Sequence, residues 1–157
     1  MDVGSGEAVI RALKSEDCAR LVKMDHEVSG RNRRAWYEGK LRRALADADV
    51  RISLGAETDG LLVGALLGSV HYGEFGLPEP VAIFDTVLVD RAFGGRGVAT
   101  AMLRQLLLNL SALRIERLRT EVEWDQFELT AFFAKSGFAP VPRLVLELRV
   151  PSPQEAR

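Results

Sequence analysis

The sequence predicts an α/β (α+β) fold, with a mixed central sheet flanked by helices on both faces. Three observations carry this expectation. Two apolar runs, 51-RISLGAE and 61-LLVGALLGSV, flank the turn dipeptide Asp59-Gly60, the pattern of a β-hairpin. The segment 81-VAIFDTVLV ends at a glycine-rich loop and resumes with helical spacing through Leu103, Leu106, Leu107 and Leu110. Beyond it, 117-RLRTEVEW alternates strictly and is followed by a short amphipathic run, FELTAFFAKS. A hairpin followed by helix crossovers makes a sheet with both antiparallel and parallel pairs, covered on two sides.

The elements follow in order. Val9, Ile10 and Leu13 predict a short strand. Ser15, Glu16 and Asp17 then give an acidic helix start, and the helix runs to Gly30 on Ala19, Leu21, Val22 and Met24. A second helix with a cationic entry is carried by Trp36, Leu41 and Leu45. After the hairpin, 71-HYGEFGLPEP is a loop by its glycine and proline content, and the β-branched run after it is a strand. The next helix starts near Gly97. In RLRTEVEW the residues Leu118, Thr120, Val122 and Trp124 share one face, which assigns Trp124 to the core. Gly137 stops the following helix, and 143-RLVLELRV is expected as a last strand. One domain over residues 8–150 results, with flexible termini at 1–7 and 151–157.

The 157 residues suffice for one core. With 21 Lys plus Arg against 22 Asp plus Glu, no global field favours nucleic acid or an anionic membrane. Cys18 is the sole cysteine, so no internal disulfide forms, and its helical setting suits an inert thiol. His26 and His71 lack the neighbours of a metal site. The opening MDVGSGEA is polar where a signal peptide needs an apolar core, and the expected location is the cytoplasm.

The loop holding Gly94, Gly95 and Gly97 admits three phosphate-binding readings. A nucleoside-triphosphate loop needs a Lys followed by Ser or Thr, where Val98 and Ala99 stand. A dinucleotide loop needs a third glycine where Thr100 stands, and it follows its strand directly, whereas Asp90 to Phe93 intervene here. The third reading rests on two elements. The stretch Val87-Leu88-Val89-Asp90-Arg91-Ala92-Phe93-Gly94-Gly95-Arg96-Gly97-Val98-Ala99 resembles the acyl-CoA signature of the GNAT family of N-acetyltransferases, and 132-FFAKSGF resembles the segment that closes a later helix of that family. The order of elements from residue 8 to about 150 is similar to it as well.

Physically, N–H groups at a helix start form an anion site, and glycine allows a pyrophosphate to approach the main chain. Gly94, Gly95, Arg96, Gly97, Val98, Ala99 and Thr100 would supply it for coenzyme A, with Arg91 or Arg104 as further phosphate contacts. The resemblance implies that the main chain of Val87, Leu88 and Val89 holds the pantetheine arm and acyl carbonyl of acetyl-CoA. Three positions depart from the family pattern. Gly94 stands where Arg or Gln is usual, Gln126 where an Asn often contacts the arm, and Phe133 where a Tyr can protonate the leaving thiolate.

The expected function is transfer of an acetyl group from acetyl-CoA to a primary amine of a small molecule or peptide by direct attack; the alternative is an acyl-CoA-binding sensor of the same fold. Asp85, just before the arm-holding segment, is the first candidate base and Glu79 the second. Arg33, Arg34 and Tyr37, with neighbouring Arg31 and Trp36, lie where the family's variable helices border the acceptor, and Tyr72 and Glu74 lie in a loop suited to lining that pocket. No metal, nucleic acid or membrane is expected as a partner, and a homodimer is the commonest small assembly.

Overall fold

The computed structural model describes residues 7–46 and 52–154. They fall into two compact units, Met1–Glu121 and Val122–Arg157. The start of the expected strand at 51-RISLGAE lies outside the described residues.

The first unit holds a five-stranded sheet in the order β1-β2-β3-β4-β5: Val9–Ala12, Leu54–Thr58, Leu61–His71, Val81–Val89 and Leu118–Arg119. The first three pairings are antiparallel and the last is parallel, so the sheet is mixed. Its helices are α1 (Cys18–Ser29), α2 (Arg34–Ala46) and α3 (Val98–Ala112). Asp59 and Gly60, both at positive φ, close the β2–β3 hairpin as the Asp-Gly turn requires. A single 3-10 turn, Ser15–Asp17, leads into α1, and Gly30 ends that helix in the left-handed region.

The two faces of β3 divide the helices. A methyl group built on Gly64 would meet Val98 and Met102 of α3, so that parity faces α3. Ala65 and Leu67 instead join a buried cluster with Leu21 and Met24 of α1 and Tyr37 and Leu41 of α2. Helices therefore cover both faces. Each buried leucine contributes ~1.5–3 kcal/mol of transfer free energy.

A bulge interrupts the β3–β4 ladder: Leu67 faces Thr86 and Gly68 faces Phe84, which leaves Asp85 without a cross-strand partner. Residues opposite one another share a face, so Val89, Val87 and Phe84 lie on the α3 side, with Gly64, Leu66 and Gly68. Leu88 and Thr86 lie on the α1–α2 side with Ala65 and Leu67. Alternation back from Phe84 places Asp85 on the α1–α2 side too. The extra residue has moved one side chain across the sheet.

Two expected strands differ in the structure. The alternating segment 117–124 contributes only Leu118–Arg119, paired with Ala82 and Ile83. Bulges bend a strand and terminate pairing, and this ladder stops two residues before Asp85. Trp124 is 96% exposed rather than in the core.

The second unit contains α4, Phe127–Lys135, ended by Gly137 at φ 96°. Within it the expected strand 143–150 has no ladder, and Leu144, Leu146 and Leu148 are each 87% exposed. Apolar alternation tells which face a strand would bury; it supplies no partner for the backbone.

Candidate active site

The candidate donor end is built from main chain. After β4, Asp90 accepts a hydrogen bond from the Ala92 N–H at 2.8 Å and starts a 3-10 turn over Arg91–Phe93. The turn delivers the chain to Gly94 in an extended conformation and to Gly95 and Gly97 at φ 71° and 76°. Those left-handed conformations favour glycine, and among the described residues nothing stands within 4 Å of a methyl group built on either. Gly97 caps α3, and the first N–H groups of that helix have no intrahelical acceptor. Gly94, Gly95, Arg96 and Gly97 are exposed, so a pyrophosphate has free approach. Val98, by contrast, is buried against the sheet and anchors the helix start.

The loop is fixed from behind. Arg20 of α1 forms an ion pair with the other Asp90 oxygen and donates to the Leu62 carbonyl at 2.8 Å. The Asp90 N–H donates to the Val63 carbonyl at 2.8 Å. Asp90 thus joins the end of β4, β3, α1 and the glycine loop. Its place in the sequence, between strand and glycines, could have signalled a loop anchor; the partner Arg20, seventy residues away, could not have been foreseen.

Of the expected phosphate contacts, Arg96 stacks over the Phe93 ring at 5.2 Å, with its guanidinium exposed. Val87 and Val89 are half-buried and Leu88 is buried. The β5 ladder ends at Ile83, so Val87 to Val89 keep an edge that faces no strand among the described residues. An extended arm running back from the loop could hydrogen-bond there as a pseudo-strand. The residues present therefore fit coenzyme A.

A second cluster centres on Asp85, the first candidate base. One of its oxygens accepts from Thr86 Oγ1 at 2.9 Å and the other pairs with Lys40 Nζ of α2. Lys40 also stands 4.9 Å from the centroid of the Trp36 ring, which Arg33 approaches to 5.2 Å. Arg33 is not a free cation, because both its Nε and Nη2 donate to Asp25. That hydrogen bonding holds the Asp25 carboxyl below the ordinary range despite burial, which pulls the other way. Tyr37 is fully buried, and burial first, then the Asp25 charge, pushes its phenol well above the usual value. Arg34 pairs with Glu38 at 3.7 Å on the exposed side of α2.

Tyr72 and Glu79 are exposed, and Glu74 sits in a 3-10 turn before β4. The structure thus gathers Asp85, Lys40, Trp36 and Arg33 in one cluster, to which Tyr37 is tied through Asp25. Lys40 was missed from sequence, since a lysine on a basic helix carries no mark of its partner. In the second unit, Gln126 is the residue before α4, and Phe133 is buried with ring centroids 5.4 Å from Phe132 and 5.1 Å from Phe138.

Cys18 is half-buried, and burial pushes its thiol up, which disfavours the reactive thiolate. Among the described residues no group of three His, Cys, Asp or Glu could hold a metal, and no helix is long and apolar enough to cross a membrane. An open depression of about 580 Å³ lies at the other end of α3, against Leu107, Arg114 and Leu118, and contains none of these residues.

Solved structures share this fold. An aminoglycoside N-acetyltransferase, AAC(6')-Iy, in complex with CoA matches with a TM-score of 0.78 at 14% identity, over 95% of this chain and 99% of that one. A transcriptional regulator from Bacillus halodurans C-125 matches at 0.77 and 15%, over 91% and 99%. A ribosomal-protein-alanine N-acetyltransferase from Brucella melitensis biovar Abortus 2308 matches at 0.71 and 18%, over 91% and 99%. No curated protein sequence matches the chain. The family model described as the acetyltransferase (GNAT) family matches residues 15–138, a span that includes the bulged strand, the glycine loop and α4, and the chain belongs to that family.

Proposed function

We propose that a single domain, residues 8–150, transfers the acetyl group of acetyl-CoA to a primary amine of a small molecule or peptide. One observation supports the reading: the exposed glycine loop at the start of α3 is continuous with a strand whose edge, among the described residues, carries no ladder beyond Ile83. An anion cradle and an open hydrogen-bonding edge in series suit a long cosubstrate with a pyrophosphate at one end and an acyl group at the other.

In this reading the loop N–H groups hold the pyrophosphate, Arg96 adds charge, and the main chain of Val87 to Val89 aligns the arm and polarises the acyl carbonyl. Asp85 takes the proton that the amine loses, and Glu79 is the second candidate for that role. Val98, Ala99 and Thr100 complete the helix start, while Gln126 and Phe133 are the family's arm and leaving-group positions. Arg33 orders the acceptor side through Asp25 and Trp36; Arg34, Tyr72 and Glu74 offer outer contacts to the acceptor. The protein acts in the cytoplasm without a metal.

Thermal denaturation with acetyl-CoA, CoA, NADH and ATP in parallel tests the donor. A ligand at 100 times its Kd stabilises by ~2.7 kcal/mol, so a shift with the two CoA species alone is the expected result. Thiol release from acetyl-CoA across a panel of amines, amino acids and peptides then tests transfer. A second reading, an acyl-CoA sensor, is favoured by Phe133 and Gly94, which lack the groups usual at those positions. Stabilisation by acetyl-CoA without thiol release on any acceptor would select it.

A further inference from the structure

We propose that the chain acetylates its own Lys40, an inference that rests on the transferase reading above. The ion pair between Lys40 and Asp85 puts a primary amine of the protein against the carboxylate assigned to take the acceptor's proton. The bulge makes this pairing possible, because strict alternation would have turned Asp85 toward α3, the other face from α2. Lys40 is also held in place: its side chain is 14% exposed and lies over Trp36, whereas Asp85 is 59% exposed. From Val89, where the arm would enter, four residues of strand lead back to Asp85, about 13 Å of extended chain. An acyl group carried along that edge arrives beside the Lys40 amine.

The step balances as follows. The Lys40 ammonium releases one proton to water and becomes the free amine. Its Nζ attacks the thioester carbonyl, a C–N bond forms and the C–S bond breaks. The second proton passes from nitrogen to Asp85 and then to the departing thiolate, leaving N-acetyl-lysine and CoA thiol. The product is neutral, so the pair with Asp85 and the cation contact with Trp36 are both lost. Asp85 is then free to receive the ammonium of an external acceptor. The modification would therefore convert an internally occupied acceptor site into an open one.

Three other lysines, Lys14, Lys23 and Lys135, are all exposed, whereas Lys40 is partly buried. Chemical acetylation follows exposure and favours those three; the proposal predicts the reverse order. The full-length protein is incubated with acetyl-CoA, and modification is followed by intact mass and peptide mapping. The expected result is one acetyl group, on Lys40, with a half-time independent of protein concentration and at least 10-fold longer in Asp85→Asn. The Lys40→Arg variant keeps a cation beside Asp85 and should gain no acetyl group on that timescale.

Acetylation distributed over Lys14, Lys23 and Lys135 with Lys40 last would overturn the proposal. A half-time that shortens with protein concentration would overturn the intramolecular step. An unmodified Lys40 in a protein that acetylates an added amine would sink self-acetylation and leave the transferase reading intact. No thermal stabilisation by acetyl-CoA or CoA would remove both.

Discussion

Replacing Arg20 by Met should loosen the glycine loop from behind without touching a residue that would meet the ligand. The substitution keeps most of the apolar stem but removes the partner of the Asp90 carboxylate and the donor to the Leu62 carbonyl. Asp90 retains its bond from the Ala92 N–H, yet its side chain is only 10% exposed and loses its counter-charge. Removing one partner of a fully buried pair costs ~3–5 kcal/mol. Some water reaches both groups here, so about 2–3 kcal/mol is expected, or ~4–12 °C in Tm for a chain of this size. Urea denaturation should show a lower midpoint at unchanged slope.

The cycle with Asp90→Asn separates the pair from general disruption at Arg20. Asn keeps an oxygen for the Ala92 N–H and removes the stranded charge, so the double variant should be at least ~1 kcal/mol more stable than the sum of the single losses implies. If Arg20→Met lies within ~0.5 kcal/mol of the parent, or if the cycle is additive within that margin, Asp90 is not held by Arg20 in the way described.

Gly68→Ala should destabilise by ~1–3 kcal/mol, because the new methyl group would sit 2.6 Å from the Ile83 carbonyl oxygen, a backbone atom in the adjacent strand; chemical denaturation reads this. Gly97→Ala meets no such obstacle, yet it forces an L-residue to φ 76° at the start of α3, so a loss of ~1–2 kcal/mol is expected together with a smaller stabilisation by acetyl-CoA. The Asp25 carboxyl is held low by Arg33, so its contribution is present above the unfolded aspartate value of ~3.9 and fades as pH falls through the lower folded value; Asp25→Asn should flatten that acid limb of stability against pH. Tyr37 is shifted upward by burial, so its contribution is complete below the unfolded tyrosine value of ~10 and is lost as pH rises toward the higher folded value; the alkaline limb should be shallower in Tyr37→Phe.

The glycine loop and the helix start after it were legible because their determinants are local. Positive φ at Gly95 and Gly97, a helix start at Val98 and a strand ending at Val89 are written in consecutive residues. The Asp59-Gly60 hairpin was legible for the same reason. The cluster around Asp85 depends on a bulge that no periodicity announces, since an extra residue in one strand is defined only by its partner. Asp85 was visible as a carboxylate on β4; its face and its pairing with Lys40 were not. The short β5 and the uncovered Leu144 to Leu148 show the opposite failure. Their alternation is a true preference for a half-buried surface, but ladders are made by two strands, and one strand's sequence specifies only half of that condition.

The bare positions of the family pattern bear on chemistry unequally. At Gly94 a side-chain contact is missing, but the cradle is main chain, so the glycine costs charge and leaves geometry intact. If Phe133 holds the place that the resemblance implies, a proton donor is missing there, and a positioned acid is typically worth ~10²–10⁴-fold in rate. Holding amine and thioester together is worth ~7–11 kcal/mol, several powers of ten more. A thiolate leaves without assistance more readily than an amine loses its proton without a base. On the transferase reading the balance of demand would therefore fall on the proposed base, Asp85, which the bulge brings to Lys40. On the transferase reading, that carboxylate would serve an external amine only when Lys40 is drawn away or neutralised, and the occupancy of this one pair would then be the condition on which turnover depends.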